Sequence, residues 1–368
     1  MFRYCLIAIL LLVGANCFAQ RNDTLRVFLD DQLQFSNKKK GLYPAMAIKS
    51  NNHWFLVSVY PDTGLLVRAY FADRDLSVKD GPFQLYHRNN VKAMEGIYSN
   101  NTRQGVWKYW YPNGQIKDSG VIKNNQLVNT WYSWYENGQL MAIAQYLHPD
   151  SIPDDIVIRS DNRFGKKGLF NEDTTVTYLH GPYLSFYASG NRKDSGNYVN
   201  GLREGEWKSW YEDGNPESRG SYIKGEQSGT WEYFHENGNI STRETYLNNK
   251  ITNLECFDTS GNSQGYFCSI QKPAVPVTGS YTNFQNYMLD NIFWPRELDG
   301  KNVNGVVRVS YTISREGMLY DIKVLATPHQ LLAQEVVRFL QGIPRWQPAV
   351  SHNRVVEYRG LLEVPFYR

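Results

Sequence analysis

The chain is poor in the residues that chemistry at a site requires. Only 4 of its 368 residues are cysteine and 7 are histidine. There is no Cys-x-x-Cys pair, and none of His53, His87, His148, His180, His235, His329 and His352 has a partner at metal-ligand spacing. His235 stands where repeated segments place tyrosine, which reads as a repeat position rather than a ligand. Asp73-x-Asp75 and Asp154-Asp155 lack the glycine and spaced oxygen ligands of a calcium loop. No Gly-rich phosphate loop precedes a helical pattern. Gly261-Asn-Ser-Gln-Gly265 matches the nucleophile elbow, but Ser263 follows a hairpin turn and no helical pattern comes after it. No catalytic residue, metal or cofactor is therefore expected. An excess of one charge is also missing. The 39 Lys and Arg stand against 36 Asp and Glu, for a net charge of +3, so there is no basic face for nucleic acid.

Long apolar runs are absent after residue 19. The first 19 residues have a basic start at Arg3, an apolar run from Cys5 to Val13, and Cys17-Phe18-Ala19 before Gln20. This predicts a secretory signal peptide cut after Ala19. The run is short of the roughly 20 apolar residues of a membrane span, although an uncleaved anchor is the alternative. The expected location is the periplasm or cell envelope, with membrane contact only through partners or an uncleaved N-terminus. Cleavage leaves two cysteines, Cys256 and Cys268. In an oxidising compartment they are a candidate disulfide, with two free thiols as the alternative.

Aromatic residues and glycine are plentiful: 26 Tyr, 17 Phe, 10 Trp and 29 Gly. Aromatics suit pleated, half-buried surfaces, and here they recur at a fixed period. Gly105-Val-Trp-Lys-Tyr-Trp-Tyr-Pro-Asn-Gly114, Gly205-Glu-Trp-Lys-Ser-Trp-Tyr-Glu-Asp-Gly214 and Gly229-Thr-Trp-Glu-Tyr-Phe-His-Glu-Asn-Gly238 are copies of one segment. Thr130 to Gly138 is a fourth, and weaker copies begin at 81, 181 and 253. Neighbouring starts stand 24 or 25 residues apart, except for one step of 51 between 130 and 181. That step holds a polar insertion over 147–180 or one eroded unit, and its Pro149, Pro153 and charged pairs favour the insertion. Each unit reads as two strands joined by Asn-Gly or Asp-Gly, whose positive φ makes a tight hairpin. Two strands cannot bury an aromatic face alone, so the hairpins must stack side by side. Trp107 and Trp110, three apart in a strand, point to opposite faces. One is expected to pack on the next hairpin and the other to be half-covered by a long side chain such as Lys108. A row of exposed aromatics for cell-wall glycan is the competing use of the same residues. Residues 20–80 read as a β-rich lead-in with one degenerate repeat from Trp54 to Tyr70, turning at Pro61-Asp-Thr-Gly64.

The Trp-x-x-Trp-Tyr-x-x-Gly core resembles the MORN-type repeat family in its bacterial variant, over about residues 81–262. The resemblance implies a non-catalytic hairpin array used for contacts. Some related bacterial proteins are labelled toxin antidotes.

The period stops after Cys268. Residues 269–280, with Pro273, Pro276 and Gly279, read as a linker. Helical spacing follows from Tyr281 to Phe293, then alternation of Val307, Val309, Tyr311 and Ile313, a turn at Arg315-Glu-Gly317, and a returning strand Leu319 to Leu325. Leu331 to Leu340 reads as a helix, and Val355 to Val364 as the last strand. This α-β-β-α-β order resembles the C-terminal domain of TonB energy transducers. Matching residues are Gly305, Val307, Val309, Tyr311, Ile313, Gly317, Asp321, Val324, Leu332, Glu335, Pro344-x-Trp346-x-Pro348 and Pro365-Phe366. The resemblance implies binding of a short N-terminal peptide of an outer-membrane receptor. Physically that is strand addition at a sheet edge. The candidate edge is the last strand, with Arg354, Val355, Val356, Glu357, Tyr358 and Arg359 as partner-binding residues. The array stands where family transducers carry a long spacer.

The expected fold is therefore mainly β with a C-terminal α+β domain: a signal peptide (1–19), a lead-in (20–80), an elongated antiparallel hairpin array (81–268), a linker (269–280) and a small α-β-β-α-β domain (281–368). The expected function is non-enzymatic partner binding in the envelope, with the repeats as spacer or docking surface. A repeat scaffold or antidote-like binding module is the alternative.

Overall fold

Alternation of apolar and polar residues, punctuated by asparagine and glycine, gives antiparallel strands throughout the repeats. The computed structural model describes residues 23–36, 38–147, 177–279 and 283–367. The expected signal segment, His148, Asp154-Asp155 and residues 148–176 of the insertion lie outside them. The chain divides into two compact units, Met1–Gly214 with Tyr222–Gly225, and Asn215–Ser221 with Glu226–Arg368.

In the first unit each strand pairs antiparallel with the next. The described residues of the lead-in supply hairpins: Thr24–Leu29 pairs with Tyr43–Ser50, which pairs with His53–Tyr60, which pairs with Gly64–Phe71. The repeats continue the ladder from Lys79–Tyr86 to Leu140–Tyr146 and from Leu179–Phe186 to Leu202–Trp210. Leu140–Tyr146 pairs directly with Leu179–Phe186, so no further hairpin stands between them. The turns alternate in kind. Asn100-Asn101, Asn124-Asn125 and Asn200-Gly201 have two consecutive positive φ values, the two-residue hairpin turn that matches strand twist. At Asn113-Gly114 only the glycine is positive.

Two features of each repeat hold neighbouring hairpins in step. The first is a tyrosine after the tryptophan motif. Tyr111 Oη donates to the Trp134 carbonyl at 2.9 Å, Tyr135 to Phe186 at 2.9 Å and Tyr187 to Trp210 at 2.8 Å. Turn asparagines do the same: Asn113 Nδ2 donates to the Glu136 carbonyl and Asn137 Nδ2 to the Ala188 carbonyl. The bonds across the 51-residue step match those elsewhere. The second feature is a glycine under each tryptophan. A Cβ on Gly96, Gly120 or Gly196 would overlap the rings of Trp107, Trp131 or Trp207 respectively. The rings lie flat on the neighbouring backbone and are almost fully buried, Trp107 at 0% exposure. The second tryptophan of the motif is only half-buried. Its covering cation is not Lys108: Lys92 lies 5.2 Å over the Trp110 ring and Arg192 5.3 Å over Trp210. Lys92 reaches the ring from the preceding strand, Lys92–Ser99.

The second unit holds the strands Glu226–Phe234, Ile240–Leu247, Lys250–Phe257 and Ser263–Gly265, paired in that order. Its C-terminal part has the helix Phe284–Asn291, strands Gly305–Ile313 and Leu319–Ala326, the helix Gln330–Gln341 and the strand Tyr358–Phe366. The side chain of Asn283 caps the first helix, accepting from the Asn286 amide at 2.8 Å. His329 caps the second through Nδ1, and Gly342 closes it before Pro344. Leu332, Val336, Phe339 and Leu340 face the sheet residues Val307, Val309, Tyr311 and Ile313 in one core, with Trp346 buried among them. Residues 269–280 are not a free linker. Gln271–Lys272 pairs with Ala349–Ser351, and Val275–Pro276 with Trp346–Gln347, because their backbone groups complete the short strands of the domain.

Candidate functional site

The last strand departs from the expected single run. It breaks at Glu357 into Arg354–Val356, which forms a hairpin with Ala349–Ser351, and Tyr358–Phe366, which pairs with Gly305–Ile313 from Tyr358 to Phe366. Among the described residues, Tyr358–Phe366 has no strand on its other side. It is therefore an edge. Gly360, Leu362, Val364 and Phe366 point into the core, and Arg359, Leu361, Glu363 and Pro365 point outward. A proline within the strand fits an edge position, where a ladder donor is dispensable.

The six expected partner-binding residues divide between two places. Tyr358 and Arg359 lie on the edge strand, and Glu357 at its start. The Arg359 side chain is 86% exposed. Glu357 accepts a hydrogen bond from Tyr320 Oη and stands 3.8 Å from Arg359. Val355 is exposed, whereas Val356 packs against the domain core. Arg354 does not belong to the edge. Its guanidinium is buried, donates to the Glu217 carbonyl at 3.0 Å and lies 5.4 Å over the Tyr233 ring. The hairpin tip turns it toward the repeat strands, where carbonyls and a ring satisfy it. Arg308 and Glu363, which sequence reasoning did not single out, form a cross-strand pair at 2.6 Å on the outer face.

That hairpin makes a second constellation. His352 and Asn353 take positive φ at its tip. The His352 ring stacks on Tyr233 with centroids 3.5 Å apart, and Nδ1 meets Glu244 Oε1 at 2.8 Å. Glu244 has 0% exposure. It also accepts from Thr242 Oγ1 at 2.7 Å and from Tyr246 Oη at 2.5 Å. Burial alone would raise its pKa. The hydrogen bonds from His352, Tyr246 and Thr242 outweigh that and hold the carboxyl below its ordinary range. The same burial and the Glu244 charge push the Tyr246 hydroxyl far up, so it stays a donor. Arg315 pairs with Glu236. No sequence signal marked Glu244, because a carboxylate in a repeat strand is ordinarily solvated.

Cys256 and Cys268 are joined in the structure, with Cα atoms 6.0 Å apart. The bridge spans 12 residues and ties Lys250–Phe257 to the segment that enters the C-terminal domain. A loop of this length constrains the unfolded chain by about 3 kcal/mol. Cys256→Ser with Cys268→Ser is expected to lower the urea midpoint of the oxidised protein by that equivalent. Reductant should have no effect on the double variant.

The other candidates are structural. His235 Nε2 contacts the Phe257 carbonyl at 3.1 Å, and His87 Nε2 the Trp110 carbonyl at 2.9 Å, at the place of the repeat tyrosines. Asp73 accepts from the amides of Ser77 and Val78 and caps a turn. Ser263 lies on an exposed strand with no helix after it. Among the described residues no cluster of histidine, cysteine and carboxylates could hold a metal, and no helix is long and apolar enough to cross a membrane.

A hairpin array followed by a small α+β domain, whose three-stranded sheet has Tyr358–Phe366 at one of its two edges, is the class that fold and site define. The family model for the MORN repeat variant matches residues 103–124, 127–148, 179–200, 203–224 and 227–248. The model for the Gram-negative bacterial TonB protein C-terminal matches residues 290–367. The chain is a MORN-type repeat protein with a TonB-like C-terminal domain. Both families are non-catalytic. No curated protein matches the chain.

Proposed function

We propose that this is a non-enzymatic envelope protein whose C-terminal domain captures a partner peptide by strand addition to Tyr358–Phe366. The observation that carries this reading is the strand itself, paired along one side from Tyr358 to Phe366 and on the other side with nothing among the described residues. An unpaired edge offers backbone donors and acceptors to any extended segment, and its outward charges choose among them. Arg359 and Glu363 supply those charges and also discourage pairing between copies of the chain. The partner is an extended N-terminal segment of the outer-membrane transport machinery, and the repeats serve as spacer or docking surface.

Titrating the full chain with a receptor N-terminal peptide, observed by amide NMR, tests this. Shifts confined to 358–366 and their neighbours in 305–313 are expected. Arg359→Glu should change the affinity about threefold or more, in a salt-dependent way. No shift at millimolar peptide would sink the reading. Shifts confined to 81–262 would favour the repeat scaffold instead.

A further inference from the structure

The first unit has a cavity of about 470 Å³ at the start of its sheet, lined by Arg26, Val27, Phe35, Lys38, Arg74 and Asp75 among others. Two properties set it apart from the rest of the surface.

The first is charge. The side chains of Arg26, Lys38 and Arg74 make no hydrogen bond or ion pair with any described residue, whereas most cations of the repeats lie over rings or beside carboxylates. Two of the neighbouring acids are engaged in turns. Asp73 is held by the amides and hydroxyl of Ser77 and the amide of Val78, and Asp30 by the amides of Gln32 and Gln34. Asp75 alone faces three cations in the lining.

The second is backbone. Thr24–Leu29 pairs with Tyr43–Ile48 along its whole length on one side. On the other side, among the described residues, only Phe28 and Leu29 are paired, with Ser36 and Phe35. Among the described residues Thr24 to Val27 are therefore unpaired on that side, and Leu25, Arg26 and Val27 line the cavity. Phe35, edge-on to Phe71 with centroids 6.1 Å apart, supplies an apolar wall at the end of that stretch.

We propose that this cavity is a docking site for an extended acidic peptide segment. The segment would add as a strand along Thr24–Val27, with its carboxylates at Arg26, Lys38 and Arg74 and an apolar side chain against Phe35. An inorganic anion or a lipid headgroup would satisfy the cations but not the unpaired strand, which only another backbone can pair. In the free protein the same cations keep the edge from pairing with a second copy. This site is separate from the Tyr358–Phe366 edge, and neither reading depends on the other.

The test uses the full chain and a fluorescent ten-residue peptide alternating Glu and Val. Saturable anisotropy is expected, weakening as salt rises. Arg74→Glu and Lys38→Glu, both outside the strand, should each lower the affinity about tenfold with an unchanged circular dichroism spectrum. Methylating alternate backbone nitrogens of the peptide should also cost at least tenfold. Equal binding of the methylated peptide would overturn strand addition. Displacement of the peptide by millimolar phosphate or by phosphatidylglycerol vesicles would show an anion site instead. No saturable binding would end the proposal.

Discussion

His352→Ala is expected to destabilise the second unit by about 3 kcal/mol near neutral pH. Glu244 has 0% exposure and stands 2.8 Å from the imidazole. Removing the imidazole leaves a buried carboxylate short of one hydrogen bond, which costs about 3 kcal/mol or more for a charged group. The low end applies here because Thr242 and Tyr246 still donate to the carboxylate. The variant also loses the stacking of the imidazole on Tyr233. Glu244→Gln should cost less, since an amide can keep several of these hydrogen bonds without a charge. The pH dependence has a definite sign. Glu244 is held below its ordinary range, so its contribution is fully present above the unfolded carboxyl value. It is lost as pH falls through the lowered folded value. Urea unfolding followed by tryptophan fluorescence between pH 3 and 7 should show a steeper acid limb in the wild type than in Glu244→Gln. Equal limbs, or a His352→Ala cost under about 1 kcal/mol, would remove the pair from the forces that hold this hairpin to the repeat strands.

Gly120→Ala is the second large effect. The new methyl group would fall within the Trp131 ring, which lies on the glycine backbone. The ring is 4% exposed and has no free space to tilt into, because Tyr109 stands 6.3 Å away on the same face. Overpacking of this kind costs about 1–3 kcal/mol, and a displaced tryptophan adds to that. A fall of several degrees in the thermal unfolding midpoint is expected, with loss of near-ultraviolet circular dichroism. Gly105→Ala makes the control. No atom lies within 4 Å of its Cβ, and the only penalty is φ +72. That conformation costs an L-residue about 1 kcal/mol. If both variants lose the same stability, backbone conformation and not ring contact explains the repeat glycines.

Gly120, Gly96 and Gly196 were present in the sequence as ordinary strand glycines, and nothing local marked them. The Asn-Gly turns were legible because positive φ is a property of two or three residues. Contact between a ring and a backbone on the neighbouring strand is not. Cations over the second tryptophan were foreseeable in kind, but Lys92 and Arg192 were not, because their place depends on register. Arg354 shows the same limit. Its neighbours suggested one continuous edge strand, yet the break at Glu357 turned it into a buried contact with Glu217 and Tyr233.

The sequence by itself determined the hairpins, their period, the mainly β class and the α-β-β-α-β order, because each rests on periodicity and turn chemistry within a few residues. Tertiary structure alone decided the direct pairing of Leu140–Tyr146 with Leu179–Phe186, the use of Gln271–Lys272 and Val275–Pro276 as strands, and the burial of Glu244 under His352. These contacts join residues as many as 108 positions apart. Whether a carboxylate there is solvated or buried depends on which surface folds over it, and that is set by the packing of the whole unit.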